Sequence, residues 1–482
     1  MTSAAPRAGH DRRDPLNGVI AALAIVGLGL LLGLQYVLPD KRVLAVLAAG
    51  IVFGIAWRLS MVMGIGVLIL ALPFPRTVTF GTTNMAFVLL LLVIWLLRFA
   101  TRTAPPPRAT PLDGAIVALF LAYVVSFYNV TNPEWVRPAF NNFFAFTMCV
   151  LIFYLIVNNT NSVSDMRRLH TFAMVSMTMV YSATVFELLF PGRAIVPGWI
   201  QYGQADTEGV VQNLRVGGPF SDYELLSEYC ALNLVFLVFV FHQARSQIGR
   251  LVAGGLLGFT LFILFATVTR GALVALGVGI VYALILTRRR LQVVPFTILV
   301  AGCAAAVIGM EFYVTHFTKA GSIFDRFAET KFVGYLPDSR AQVWPLALER
   351  WMKHPIIGWG PFYTNREGIN FYPWPHNLLL YVANCLGVIG LGCFLFLMWK
   401  LWKLSKPDTD WIGHPSYARA YLLIAHVQLV VFFANELKIE YLRNPIYQYV
   451  VWVFFAFIAA GHKVAQLERR RESPSAELAR AA

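Results

Sequence analysis

Residues 84–100 read NMAFVLLLLVIWLLRFA, an apolar run in which Arg98 is the one charged residue. A helix needs about 20 such residues to cross the hydrocarbon core of a bilayer, so this run has the composition and nearly the length of a membrane span. Similar runs recur along the chain, separated by short polar breaks. They predict serial membrane spans and not one buried core.

The composition agrees with this prediction. Hydrophobic residues make up 58% of the 482 and charged residues 13%, against about 25% charged in soluble domains. We therefore predict an all-α integral membrane protein, a polytopic bundle of about 12–14 transmembrane helices. The tight turn at 57–60 leaves open whether the second and third spans form one re-entrant hairpin. The spans are placed near residues 17–38, 43–57, 59–75, 84–100, 112–129, 139–157, 169–190, 223–241, 249–267, 271–287, 292–314, 376–399, 419–435 and 445–461.

The distribution of charge predicts the orientation. With the N-terminus inside, most Lys and Arg fall in cytoplasmic segments and most Asp and Glu fall outside, so the net charge of +14 lies on the cytoplasmic side. This is the positive-inside pattern, and it places both termini in the cytoplasm. The basic residues are scattered over many segments and not clustered on one surface, which argues against a nucleic-acid partner. The first run lacks a small-residue cleavage site, so it is read as an uncleaved span.

Three regions follow from the span pattern. Residues 1–190 form an N-terminal transmembrane bundle without motifs, 191–461 carry the motifs, and 462–482 are a basic cytoplasmic tail. Two outer segments, Pro191 to Asp222 and 312–375, are too long to be simple connections. We expect the second to fold over the site as a cap. All five cysteines lie in apolar runs without a CxxC pair and are expected to be buried, with neither disulfide nor thiolate metal site: Cys149, Cys230, Cys303, Cys385 and Cys393.

Arg215 opens the first motif, LRVGGPFSDYE at residues 214–224. Ser221 or Asp222 is expected to cap the next span, and the two glycines allow backbone N–H groups to approach a ligand closely. Arg215 would then lie at a helix N-terminus, which suits an anion. An interfacial arginine reaching toward lipid phosphate explains this fragment equally well.

Arg270 is surrounded by apolar sequence, FATVTRGALVAL at residues 265–276. A charged group held so near the hydrocarbon costs a few kcal/mol, so it is a candidate functional residue. The alternative is a structural pair with a carboxylate such as Glu187 or Glu228.

The long outer segment contributes Arg340 and ends at His376, which opens a span. Because Pro345 favours a helix start, we expect an amphipathic membrane-surface helix to begin near Trp344 and not at Ser339. The helix dipole favours a neutral imidazole at His376, and a neutral imidazole can accept a proton. The histidines have no metal-ligand spacing, so no metal site is predicted.

At these residues the chain resembles the O-antigen ligase/polymerase family of bacterial integral membrane glycosyltransferases, whose overall architecture is GT-C-like. The similarity runs from about Arg215 to Leu401, and its parts come in the family order. Thr269 stands where the family has Ser before the arginine, which keeps a hydroxyl. The parts are RVGGPF, TRGAL, SRAQVW, HPIIGWG, and HN followed by LGVIGL.

The resemblance implies transfer of a glycan from a polyprenyl-diphosphate carrier to a lipid or glycan acceptor hydroxyl at the outer face of the inner membrane. It implies inversion at the anomeric carbon and no metal or other cofactor. Arg215 and Arg270 would hold the diphosphate, Arg340 would assist, and His376 would be the general base. Ligase and polymerase activities share this constellation.

A transporter or flippase of lipid-linked sugars is the alternative from another class. Such proteins often show internal repeats and intramembrane charges in both halves. This sequence shows no repeat, and its intramembrane charge is confined to one face.

Overall fold

A computed structural model describes most of the chain between residues 53 and 472. The span predicted at 17–38 and most of those at 43–57 and 292–314 lie outside the described residues, as does Cys303. The described residues are 53–74, 83–104, 106–190, 215–287, 305, 307–313, 315–316, 322–328, 332–333, 336–367, 370–407 and 416–472.

The protein is an all-α polytopic membrane protein, as predicted. Among the described residues, seven helices are long and apolar enough to cross a membrane, and four shorter apolar helices accompany them. The helices are α1 Met61–Ala71, α2 Thr83–Ala100, α3 Asp113–Ser126, α4 Pro133–Asn159, α5 Val163–Leu189, α6 Tyr223–Gln243, α7 Gln247–Ala266, α8 Arg270–Thr287, α9 Ile323–Ala328, α10 Asp338–Lys353, α11 Leu378–Ser405, α12 Tyr417–Glu436 and α13 Pro445–Glu472.

The helix ends explain where the spans start. Ser162, Asp222, Asn377 and Ser416 each cap a helix by accepting a hydrogen bond from a backbone N–H in its first turn. Such caps satisfy donors that the helix leaves unpaired. Asp222 is therefore the cap of α6, whereas Ser221 adopts a left-handed conformation with φ of 52°.

Most of the buried apolar side chains form one core between the helices. The closest helix pairs are α4 with α13, α6 with α7, α8 with α12, α3 with α11, and α1 with α5. Cys149, Cys230 and Cys385 are buried in this packing, as expected, while Cys393 is partly exposed.

Helix α11 is broken at Gly387, where φ is 65°. The break leaves backbone groups to be paired, and the segment Pro355–Gly360 pairs them. Val388 and Ile389 donate to the carbonyls of Pro355 and Ile356 at 2.8 and 3.2 Å, and Trp359 and Gly360 donate to those of Asn384 and Cys385 at 2.9 and 3.0 Å. Irregular backbone inside a membrane protein requires such pairing. The HPIIGWG motif thus completes a broken membrane helix.

The described residues of the segment 312–375 contain α10 and two short β-ribbons, β1 Phe332–Val333 with β2 Leu336–Pro337, and β3 Arg366–Glu367 with β4 Asn370–Phe371. The prediction that α10 begins near Trp344 is wrong, because the helix runs from Asp338 through Pro345. Proline removes only its own N–H donor and clashes locally. Two tertiary contacts hold the part of the helix that precedes Pro345: Arg340 donates to the Lys438 carbonyl and Trp344 Nε1 to the Pro375 carbonyl, both at 3.0 Å.

Helix α10 is attached to the bundle by Arg350, a fully buried residue of this helix. Its guanidinium faces the rings of Trp359, Tyr363 and Tyr372, at 5.1, 4.6 and 5.9 Å from their centroids. It also donates to Asn384 Oδ1 of α11 at 3.5 Å. Cation–π contacts are strongest when desolvated, so this buried group ties α10 firmly to α11.

Candidate active site

His376 directly precedes the Asn377 cap of α11 and has a left-handed backbone with φ of 46°. A non-glycine residue in this region costs about 1–2 kcal/mol. Such strain is typical of functional sites, where the surroundings fix the conformation. Asn377 helps to fix it, since its Nδ2 donates to the Leu437 carbonyl at 3.2 Å.

Glu224, in the first turn of α6, lies at the centre of the charged groups around His376. Its Oε2 is 3.4 Å from His376 Nδ1 and 3.0 Å from Arg443 Nη2. Its Oε1 is 3.9 Å from Arg340 Nη2. The structure therefore brings His376 and Arg340 together through a carboxylate that the sequence did not single out.

Arg443 belongs to the connection at residues 437–444 between α12 and α13. Its Nη2 contacts Asp222 Oδ2 at 2.6 Å, and its Nη1 lies 3.5 Å from Glu440 Oε1 and 3.3 Å from His376 Nδ1. Burial works against its charged form, but Asp222, Glu440 and Glu224 outweigh this and raise the pKa of Arg443. Arg443 is thus a fixed positive charge beside the imidazole.

The other charged groups of this connection are buried. Burial raises the pKa of Glu440 to about 7, although the neighbouring Arg443 opposes the shift. Burial also raises the pKa of Asp222 against the effect of Arg443. Burial lowers the pKa of Lys438, although the negative charges of Glu224 and Glu228 oppose this shift. The Lys438 Nζ makes no hydrogen bond within the described part of the chain.

Arg215 lies across the turn between α7 and α8. Its Nε donates to the Thr267 carbonyl at 3.2 Å, and its Nη2 donates to the Val268 carbonyl at 3.3 Å and to Thr269 Oγ1 at 3.2 Å. Its guanidinium also stacks 3.3 Å from the ring centroid of Tyr223. Arg215 therefore fixes the turn that presents Arg270.

Arg270 is the first residue of α8 and is partly buried. Its neighbour Gly271 lies against the side chain of Lys438, so closely that a methyl group there would overlap Cδ and Cε. The backbone carbonyl of Lys438 in turn accepts from Arg340 Nη2 at 3.0 Å. Contacts through Lys438 thus connect the start of α8 to the group around His376.

The carboxylates considered as structural partners of Arg270 have other environments. Glu187 accepts from the Gly217 and Gly218 N–H groups at 3.4 and 2.7 Å. Both Glu228 oxygens lack a hydrogen bond among the described residues. The glycine N–H groups expected to face a ligand bind Glu187 instead.

Sequence reasoning missed Glu224, Lys438, Glu440 and Arg443. The signal was the stretch LKIEYLRN at residues 437–444, where three charged side chains stand between two apolar spans. Charges in such positions mark functional sites by default. This stretch lies outside the motifs on which the resemblance rests, so those motifs did not indicate a role for it.

Comparison with protein families supports the resemblance. Residues 233–395 match the family described as O-antigen ligase. The matched region contains Arg270, Arg340 and His376, whereas Arg215, Glu224 and Arg443 lie outside it. A search of the curated proteins found no match.

Proposed function

Because the chain carries an O-antigen ligase domain in a multi-pass membrane protein, we propose that it transfers a glycan from a polyprenyl-diphosphate carrier to an acceptor hydroxyl. The proposed site lies at the periplasmic face of the bacterial inner membrane, with both termini cytoplasmic. The observation that carries the proposal is the convergence of His376, Arg340 and an ion-paired carboxylate at one end of the bundle.

We assign the donor diphosphate to Arg270 and Arg340, with Arg215 fixing the turn that presents Arg270. As the glycosidic bond breaks, negative charge develops on the leaving diphosphate. Guanidinium groups bind phosphate oxygens in a bidentate manner and keep their charge at all working pH values. Arg270 adds the N-terminus of α8, which favours an anion. These groups supply the stabilisation without a metal in our proposal.

His376 is proposed as the general base. The acceptor hydroxyl must lose its proton as its oxygen attacks the anomeric carbon, and an imidazole can take that proton. His376 Nδ1 faces Glu224 and Arg443, and Nε2 makes no hydrogen bond to the described residues. Nε2 is therefore the atom assigned to the acceptor hydroxyl. One displacement by the hydroxyl gives inversion.

Two products are compatible with this site. A ligase would join a finished glycan to a lipid acceptor, whereas a polymerase would extend a chain of repeat units. The two are separated by examining the product on a gel after reaction with a lipid acceptor or with lipid-linked repeat units alone.

The proposal is tested with purified protein in nanodiscs, supplied with polyprenyl-diphosphate glycan and acceptor. We expect Arg270→Ala and His376→Ala each to lower the initial transfer rate by at least about 100-fold, the usual scale for lost transition-state contacts or a lost base. Arg366→Ala, at an exposed position on β3, is the matched control. Full activity of His376→Ala would contradict the general-base assignment.

The transporter alternative is tested in the same system. Protein in liposomes that moves lipid-linked sugar across the bilayer, and does so equally well with His376→Ala, would replace the transferase proposal. We expect no such movement to depend on the protein.

A further inference from the structure

His376 Nδ1 has two rival partners. Glu224 Oε2 lies 3.4 Å away and requires Nδ1 to carry a hydrogen. Arg443 Nη1 lies 3.3 Å away and, as a donor, requires Nδ1 to offer its lone pair. A neutral imidazole carries one hydrogen, so only one partner is satisfied at a time.

The choice decides whether the imidazole can act as a base through Nε2. When Nδ1–H donates to Glu224, Nε2 holds a lone pair and can accept the acceptor's proton. When Nδ1 accepts from Arg443, Nε2 carries the hydrogen and cannot. Resting on the proposed function, we propose that Glu224 is the positioning residue that selects the active tautomer of His376 against Arg443.

The contacts of Glu224 favour this assignment. Arg443 Nη2 binds the same Oε2 at 3.0 Å, and Arg340 Nη2 is 3.9 Å from Oε1, so the carboxylate is held from both sides. Arg443 also contacts Asp222 through Nη2 at 2.6 Å and Glu440 through Nη1 at 3.5 Å, so carboxylates compete with the imidazole for its donors. Glu224 additionally stabilises the imidazolium that forms when Nε2 takes the proton.

Within the described ranges, several elements bring charged groups near the His376 ring. Asp222 and Glu224 come from the start of α6, Arg340 from α10, and Glu440 and Arg443 from the 437–444 connection. The Lys438 ammonium also interacts electrostatically with the Glu224 carboxylate. Glu224 is the carboxylate in contact with the imidazole, so its removal leaves Arg443 as the partner of Nδ1.

The first test is Glu224→Gln, which keeps the shape and removes the charge. We expect the maximal rate to fall by about 100-fold, the scale of general-base catalysis. We also expect the acidic limb of the log-rate profile to move to lower pH by about one unit or more, because the imidazolium loses a neighbouring negative charge. A loss of folded enzyme alone would lower the rate without moving the limb.

Glu349→Gln is the matched control, since Glu349 is an exposed carboxylate on α10 whose one hydrogen-bond partner among the described residues is the Tyr372 hydroxyl. It should leave the rate and the profile unchanged. Should Glu224→Gln fail to give monodisperse protein, Glu224→Asp supplies the same test, because its shorter side chain withdraws from Nδ1 and moves the limb in the same direction.

The second test is the double variant Glu224→Gln/Arg443→Gln. Because the rival donor is removed, we expect the double variant to be about tenfold faster than Glu224→Gln. Two independent structural defects would instead lower the rate further. An unmoved acidic limb, or losses that multiply in the double variant, would overturn the inference. His376→Ala measured in parallel separates this failure from that of the proposed function: if it is active, His376 is not the base at all.

Discussion

Arg215 shows how far one residue can be understood from its sequence neighbours. The glycine-rich motif suggested that the Arg215 side chain binds an anion or a lipid phosphate, and in either case it would face away from the protein. The described contacts point inward, to the carbonyls of Thr267 and Val268 and to the ring of Tyr223. No local pattern predicts the two carbonyl partners, since Thr267 and Val268 lie 52 and 53 residues away in sequence.

Replacing Arg215 by lysine tests this role. A lysine cannot hold two carbonyls, a hydroxyl and an aromatic face together, because it lacks the planar fork. We expect Arg215→Lys to lower the transfer rate by about 10- to 100-fold. Initial rates of the purified variant measure this, with Arg366→Lys as the exposed control. Near-normal rates would show that the turn before Arg270 does not require a planar guanidinium group at position 215.

At the scale of elements, the break in α11 is the feature that hydropathy could not reveal. The run 376–399 contains mostly apolar residues and was placed as one span, whereas α11 consists of two helical parts joined by a kink at Gly387. Its break depends on backbone pairing with Pro355–Gly360 across the fold. The glycines of HPIIGWG and LGVIGL carried the signal, since Gly358 and Gly387 both have positive φ.

Gly387→Ala is expected to destabilise the protein by about 2 kcal/mol or more. A methyl group there would overlap the Ile356 carbonyl, and the left-handed backbone adds its own cost. Thermal unfolding in detergent should show a Tm lowered by several degrees. Gly392→Ala is the control within the same helix, because open space surrounds its Cα. Equal Tm values for both variants would contradict the pairing.

Glu440 makes the 437–444 connection sensitive to pH. Its pKa of about 7 in the folded state lies above the ordinary 4.5, so the folded state binds more protons than the unfolded state between these values. Stability therefore falls as pH rises through this window. Glu440→Gln removes the titration, so its Tm relative to the parent should be higher at pH 8 than at pH 5. A difference that does not change with pH would show that Glu440 is not buried as described.

At the scale of the whole molecule, span positions were predictable because bilayer thickness dictates helix length. The spans predicted at 223–241 and 419–435 correspond to the helices Tyr223–Gln243 and Tyr417–Glu436. The site was predictable only in part. The order of the motifs identified Arg340 and His376 as site residues. The charged residues of 437–444 lie far from His376 in the sequence, and only the fold brings them next to it.

The orientation proposed from charge has its own test. Asn370 on β4 and Gln247 at the start of α7 are both exposed and lie in segments assigned to opposite sides. On intact spheroplasts, we expect a membrane-impermeant maleimide to label Asn370→Cys and to label Gln247→Cys only after permeabilisation. The parent protein with its native cysteines gives the background. The reverse pattern would invert the topology and move the site to the cytoplasm.

The most direct measurement is a density map of the protein with polyprenyl diphosphate glycan bound. We expect the diphosphate at Arg270 and Arg340, beside the turn held by Arg215. We expect the anomeric carbon on the Nε2 side of His376, with room for an acceptor hydroxyl between them. A diphosphate bound at the opposite end of the bundle, or on the far side of α10 from His376, would contradict this expectation.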